Sequence, residues 1–187
     1  MRTTAKIINS YYKQKQLIAT CDKKGNITGK IEKWEAHKKG ILHRAFTVAI
    51  VHKGKILLQH RKHPAFGGVM DATISSHQLM INGQLENTVE ATLRTLEREW
   101  NITKKDLLKP IRHGGAVYYK AHDKFSVFIE HEVCDFLVAE IKSLKEPNFD
   151  FAYGYSIVSK EELHDTTTLL YQNLAPWVKV MIKEGKL

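Results

Sequence analysis

Residues 125–141, FSVFIEHEVCDFLVAEI, constrain the fold of this chain more than any other stretch. Apolar and polar residues alternate along it, which is the period of an extended strand. The preceding GGAVYYKA alternates in the same way, so the two read as a pair of strands. Alternation puts Glu130 and Glu132 on one face and His131 on the other, among Ile129 and Val133. Two carboxylates held that close repel each other unless a cation lies between them or one keeps its proton. An isolated Glu-x-Glu is more often the wet edge of a half-exposed strand, so the pattern by itself leaves both readings open.

The rest of the sequence supplies partners for such a pair of strands. After a polar, lysine-rich lead (residues 1–16), QLIATC reads as a strand, DKKGN as a turn and ITGKIEKW as a returning strand. RAFTVAIV, HKGK and ILLQH form a clearer hairpin, with Gly54 supplying the turn conformation. The basic loop RKHPAFGGVMD is rich in turn formers, and ATISSHQLM is expected to be short and extended. One helix is predicted from about Glu86 to Trp100, with Val89, Leu93, Leu96 and Trp100 on one face and Asn101 as a left-handed stop. YGYSIVS reads as a further strand. SKEELHDT begins a helix capped by Ser159, with Glu162 closing a capping box, and LAPWVKVMIKEG begins a last helix with Pro176 in its first turn. Strands crowd the middle and helices cover the ends, which predicts an α/β sandwich on a mixed sheet.

At 187 residues, with 43% hydrophobic residues and only four prolines, the chain fits a single domain (1–187) that buries a real core. It has no run of about 18 apolar residues and no secretory pattern, so a soluble, cytoplasmic protein with no membrane association is expected. Residues 1–21 contain no acid, but Arg2 is their only arginine, a weak match to an organellar leader. The two cysteines, Cys21 and Cys134, have no metal spacing and fit a reducing compartment. A net charge of +9 favours an anionic partner. No nucleic-acid motif accompanies the charge, so a small phosphorylated molecule is the expected partner. The expected assembly is a monomer or weak homodimer.

Three histidines sit at the edges of expected elements: His37, His43 and His77. Each alone is more often a surface or hydrogen-bonded histidine. Joined to Glu130 and Glu132 they form a His₃Glu₂ set suited to zinc, manganese or iron more than to calcium. The other seven of the ten histidines make chance groupings easy, so composition does not select these three.

In order, GKIEKWEAH, ILHRAFTVAIV, KILLQHR, SSHQL and IEHEVC resemble the motifs of the type I isopentenyl-diphosphate delta-isomerases, members of the Nudix superfamily, from about Leu17 to Trp177. The resemblance implies a Nudix-like α/β/α sandwich with a mixed β-sheet. It implies that one divalent metal (manganese, zinc or magnesium) is held by His37, His43, His77, Glu130 and Glu132. It also implies an acid–base reaction in which one group protonates the terminal alkene carbon of a homoallylic diphosphate and a second removes a proton on the other side. Glu132 matches the family's acid, assisted by Tyr119, and Trp177 matches a tryptophan whose ring face stabilises the developing cation. On residue type and spacing alone, Trp177 is equally a core anchor of the last helix. Lys33, Arg61 and Lys62 match or neighbour the basic positions that take the diphosphate; HRKH is otherwise an ordinary solvated loop.

Two departures weaken the match. The family's cysteine two residues before the SSHQ histidine is Ser75 here, and an alcohol, unlike a thiol of pKa about 8.5, needs an adjacent base to act as one. A slower enzyme is therefore expected. Cys134 shares the face of Glu130 and Glu132 but lies one strand step further along, so it is a poor substitute. The Nudix pattern G-x₅-E-x₇-R-E-U-x-E-E-x-G-U aligns with Glu86, Arg94 and Glu99, but its other acids fall on Thr95 and Arg98 and its glycines on Met80 and Asn101. A hydrolytic metal cluster is thus incomplete, whereas the isomerases keep the position of Glu99, which there holds magnesium on the substrate diphosphate. Thr95 also stands where a basic residue is expected. The rival expectations are a Nudix hydrolase of another organic diphosphate and a diphosphate-binding homologue with weakened or no catalysis.

Overall fold

A computed structural model describes residues 10–187. Residues 1–9 of the expected polar lead, with the leader-like features there, lie outside that range. Eleven strands are described: β1 (Leu17–Cys21), β2 (Ile27–Glu32), β3 (His43–His52), β4 (Lys55–Arg61), β5 (Met70–Asp71), β6 (Ile74–Ser76), β7 (Met80–Ile81), β8 (Gln84–Leu85), β9 (Arg112–His122), β10 (Ile129–Glu140) and β11 (Ala152–Val158). Helices of the described residues include α1 (Lys33–Lys39), α2 (Thr88–Trp100), α3 (Lys160–His164), α4 (Leu169–Gln172) and α5 (Pro176–Lys183).

The main sheet is mixed. Its path runs β11-β4-β3-β1-β2, with β10 joined to β3, β9 to β10, β5 to β4 and β6 to β3. β10 lies parallel to β3 and antiparallel to β9, so the two expected partner strands do pair. The opposite faces of this sheet carry two separate cores. On one face Phe46, Val48, Ile50 and Leu57 pack against Leu96 and Trp100 of α2. On the other, Ala45, Ala49, Leu58, Val117 and Phe136 pack against Trp177, Val178 and Met181 of α5. That is the expected α/β/α sandwich. Trp100 has no exposed surface, and truncation of a tryptophan buried in this way costs about 3–5 kcal/mol. Among the described residues, no helix is long and apolar enough to cross a membrane.

Local chemistry explains most of the boundaries. Asn87 caps α2, its side chain accepting from the amides of Val89 and Glu90, so the helix starts at Thr88 and not at Glu86. Asn101 adopts the expected left-handed conformation, with φ 51°. Ser159 and Glu162 close the capping box of α3, and Pro176 opens α5. The buried face of α2 is rotated from the expected one: Val89 is exposed, while Ala91, Thr92, Thr95 and Glu99 join Leu96 and Trp100 inside. Counting only apolar residues hid the small and polar side chains of that face.

The largest correction concerns ITGKIEKW. The strand ends at Glu32, whose carboxylate accepts from the amide of Glu35 and caps a short helix through Lys39. Gly40, with φ 62°, ends α1. A Cβ there would adopt a conformation that L residues rarely hold and would lie 3.2 Å from the Ile129 side chain. This turn sets the distance between α1 and the start of β3, and hence between His37 and His43.

Candidate metal and acid–base centre

Strand register assembles the acidic wall. Glu132 lies opposite His43 across the parallel β10–β3 pair and opposite Tyr119 across the antiparallel β10–β9 pair. Directly opposed side chains on one face of a sheet come within contact, and the phenol of Tyr119 donates a short hydrogen bond to Glu132 Oε2. Glu130 stands two residues back on the same face, and α1 brings His37 Nε2 to 3.1 Å from Glu130 Oε2. β6 pairs with β3 and delivers His77, whose Nε2 is 3.2 Å from both His43 Nε2 and Glu132 Oε1.

One ligand atom from each of His37, His43, His77, Glu130 and Glu132 lies within 4.8 Å of all the others, and all five residues are buried. Glu130 is 5% exposed and Glu132 4%, which rules out the wet-edge reading. The tautomers are set for coordination. His37 Nδ1 lies 2.7 Å from the Lys33 carbonyl and His43 Nδ1 lies 2.7 Å from the Ile41 carbonyl. Each ring N–H is used there, which leaves the Nε2 lone pair aimed into the cluster. His37 Nε2 and Glu130 Oε2, 3.1 Å apart, are buried and have no hydrogen-bond partner beyond each other. Buried polar atoms are rarely left so, and a divalent cation among these N and O donors satisfies them. The residues present therefore fit the implied metal.

Burial disfavours a charge on the His37 imidazole, but the neighbouring charge of Glu130 raises its pKa above the usual histidine range, so a proton competes with a cation for that nitrogen. Burial by itself would raise the pKa of Glu132, but the hydrogen bonds and charge of His43, with Tyr119, hold it down to about 2. Tyr119 goes the other way, because burial and the neighbouring charge of Glu132 push its phenol well up and keep its proton on the oxygen. Burial, with the charges of His43 and His37, keeps His77 neutral, the form that binds metal.

The opposite wall holds Lys33, Arg61, Ser75 and Trp177, and both walls line one cavity of about 20 Å³, about the space of a single water or ion. A larger groove of about 500 Å³ lies beside Leu93, Leu107 and Ile111. Apart from two lysines it carries no ionisable group, so the chemistry points to the smaller cavity. Lys33 is buried, and desolvation with the charge of Arg98 pushes its ammonium down to about 8. The Arg61 guanidinium lies 5.2 Å from the centre of the Trp177 ring. Lys62 does not line the cavity: its ammonium turns outward and donates to the Phe149 carbonyl. Glu99 is buried nearby but also does not line it, being bonded to Arg98 and to the Gln59 amide. Thr95 is buried and donates to the Ala91 carbonyl.

Sequence reasoning missed Asp71. Its carboxylate accepts from Arg61 Nη1 at 2.7 Å, Trp177 Nε1 at 2.8 Å and Ser75 Oγ at 3.0 Å, with no surface exposed. In GGVMDATISS it looked like one more turn former. The chain reaches Ser75 from Asp71 through Thr73, which holds φ at 95°. A β-branched residue is strained there. Its hydroxyl accepts from the Ile50 amide and donates to the Leu57 carbonyl, locking the kink between β3 and β4. His63 also lines the cavity, and burial with the charges of Arg61 and Lys33 keeps it neutral.

Comparison with known proteins is consistent with this geometry. No protein-family model matches the chain. The isopentenyl-diphosphate Delta-isomerase of Jannaschia sp. is 35% identical over 118 residues, covering 63% of this chain and 62% of that protein. Isopentenyl-diphosphate Delta-isomerase 1 of Mus musculus is 30% identical over 190 residues, covering 90% of this chain and 83% of that protein. A solved Deinococcus radiodurans protein superposes with a TM-score of 0.64 at 13% identity, over 90% of this chain and 98% of that one. A MutT Nudix hydrolase from Burkholderia pseudomallei superposes at 0.54 and 20% identity, over 76% and 96%. The likeness to the Nudix hydrolase shows the Nudix fold.

Proposed function

Because the chain belongs to the isopentenyl-diphosphate Delta-isomerase family, we propose that it interconverts isopentenyl and dimethylallyl diphosphate by adding a proton to one carbon and removing one from another. The observation that carries the reading is the buried pairing of Glu132 with Tyr119, beside a donor set fitted to one divalent cation. Tyr119 holds its proton against Glu132 and gives the pair a proton to place on the terminal alkene carbon. The Trp177 ring, packed against Tyr119 and Arg61, faces the developing positive charge. Ser75, on the facing wall, takes the proton from the carbon on the other side. Manganese, zinc or magnesium held by His37, His43, His77, Glu130 and Glu132 would offset the repulsion between the two acids and fix the orientation of Glu132.

Lys33 and Arg61 are the diphosphate clamp in this reading, and a second magnesium travels with the substrate. Glu99 is the residue for that ion, which must displace the Arg98 pairing to reach it. The hydrolase rival finds less support in these residues. Of the acids that match the Nudix pattern, Glu86, just before α2, is tied to Arg94 and Glu99 to Arg98, and two further acidic positions are Thr95 and Arg98. Purified protein supplied with Mg²⁺ and Mn²⁺ should convert isopentenyl diphosphate to its dimethylallyl isomer. Release of phosphate with no dimethylallyl product would establish the hydrolase instead, and a metal-free protein that makes neither product would be a binding homologue.

A further inference from the structure

A serine in the place of the second proton-transfer group raises a chemical difficulty, because an alkyl alcohol has almost no basicity until something takes its own proton. The groups behind Ser75 show where that proton goes. Ser75 Oγ lies 3.0 Å from Asp71 Oδ1 and 2.8 Å from Thr47 Oγ1. A carboxylate only accepts and a hydroxyl has one proton, so Ser75 donates to Asp71 and Thr47 donates to Ser75. Cys134 Sγ, 3.4 Å from Thr47 Oγ1, fills the next place in the row. The hydroxyl of Ser75 is thus held with its proton on Asp71, while the residue itself lines the cavity. Asp71 lies behind that wall with no exposed surface.

We propose that Asp71 is a positioning residue that makes Ser75 a working proton acceptor, taking the Ser75 proton as Ser75 takes one from the substrate. The step rests on the isomerase reading and balances. The C–H bond next to the tertiary cationic carbon breaks, its electron pair becomes the new double bond, and its proton goes to Ser75 Oγ. The proton already on Oγ moves to Asp71 Oδ1. A cation and a carboxylate become a neutral alkene and a carboxylic acid, with no other reactant needed. After product leaves, the same hydroxyl returns the proton to the cavity. Arg61 Nη1 and Trp177 Nε1 hold Asp71 from two other directions, and the strained Thr73 fixes the short chain between Asp71 and Ser75.

A double-mutant cycle separates this role from a merely structural one. Asp71→Asn should lower kcat about 30- to 100-fold with KM changed less than about threefold, the range expected for a proton-transfer contribution. The same substitution should cost less than about threefold in kcat on a Ser75→Ala background, which has no hydroxyl to relay. It should cost equally little on Ser75→Cys, whose thiolate needs no relay. Equal losses in all three backgrounds would mean that Asp71 acts through Arg61 and Trp177, and the relay is overturned. Should Asp71→Asn fail the near-ultraviolet circular dichroism check for folding, Ser75→Ala alone decides. A loss of about a hundredfold supports the relay, and activity within about threefold of wild type overturns it. A wild-type protein that makes no dimethylallyl diphosphate removes the isomerase reading and the relay together, whereas an active wild type with an additive cycle removes the relay only.

Discussion

The two walls of the cavity are built on opposite terms. On the β10 side, ligand atoms crowd together: His37 Nε2 and Glu130 Oε2 are buried 3.1 Å apart with no partner beyond each other, and two carboxylates share the space. On the β5–β6 side, Asp71 is surrounded by donors from Arg61, Ser75 and Trp177. Buried charge is costly unless it is paired. In the proposed reading a cation completes the first wall, while the second is organised before anything binds. The cation can orient the acid, and the prearranged network can hold the receiving group still.

The comparison breaks most directly at Glu132. Glu132→Gln keeps the shape but removes a metal donor and the acceptor of the Tyr119 proton, so kcat should fall about 10³-fold or more and metal content should drop. Isomerase assays with metal analysis on the same preparation check both, and an active glutamine variant contradicts the assignment. Removing the metal from the wild type tests the wall as a whole. A ligand at about 1,000 times its dissociation constant stabilises by about 4 kcal/mol. For a chain of this size, chelation should therefore lower Tm by about 8–16 °C, and thermal scans with and without added Mn²⁺ measure it. A protein whose melting ignores chelator has no cation in that wall.

The same contrast explains what was legible in the sequence. Glu130, Glu132 and Cys134 could be placed on one face because strand alternation is a short-range rule, and the structure keeps that face. That His43 and Tyr119 stand on either side of Glu132 is a matter of register between distant strands, which no local pattern encodes. His37, like His43 and His77, stands at the edge of an expected element, and only the family motifs select these three from the ten histidines. Lys33 and Trp34, the first residues of the helix that carries His37, read as strand, because IEKW alternates and the capping role of Glu32 depends on a turn not visible in composition. Asp71 escaped altogether. Its three donors come from β4, β6 and α5, and a buried carboxylate in a glycine-rich stretch is indistinguishable from a turn former until those elements meet. Lys62 shows the converse: next to Arg61 in sequence, it faces another way.

Lys33 gives a pH-dependent test of the basic part of the cavity. Burial, the charge of Arg98 and the charge of Arg61 lower its ammonium to about 8, against opposing pulls from Glu130 and Glu99. It is protonated, and able to hold a diphosphate, below that value and neutral above it. kcat/KM should therefore fall as pH rises past about 8, approaching tenfold per unit. Lys33→Arg, which keeps its charge, should move that fall beyond the accessible range. A fall unchanged in the arginine variant assigns the titration to another group.

Lys62 carries the smallest expected effect and the sharpest contrast with its neighbour. Arg61 is buried, paired with Asp71 and stacked against Trp177, whereas the Lys62 ammonium donates to the Phe149 carbonyl at the surface. An exposed charge outside the cavity interacts with a bound diphosphate through water and salt, where a single pair is worth about 0–1 kcal/mol. Lys62→Ala should accordingly raise KM by less than about twofold at 0.15 M salt and leave kcat alone. Arg61→Ala removes a donor to Asp71 and leaves that carboxylate short of a partner in a buried site, so it should lower kcat as well as raise KM. Steady-state kinetics on the two variants side by side decide the point. A Lys62 variant that loses tenfold or more in kcat/KM would place Lys62 in the diphosphate clamp, with its side chain turned inward when substrate binds.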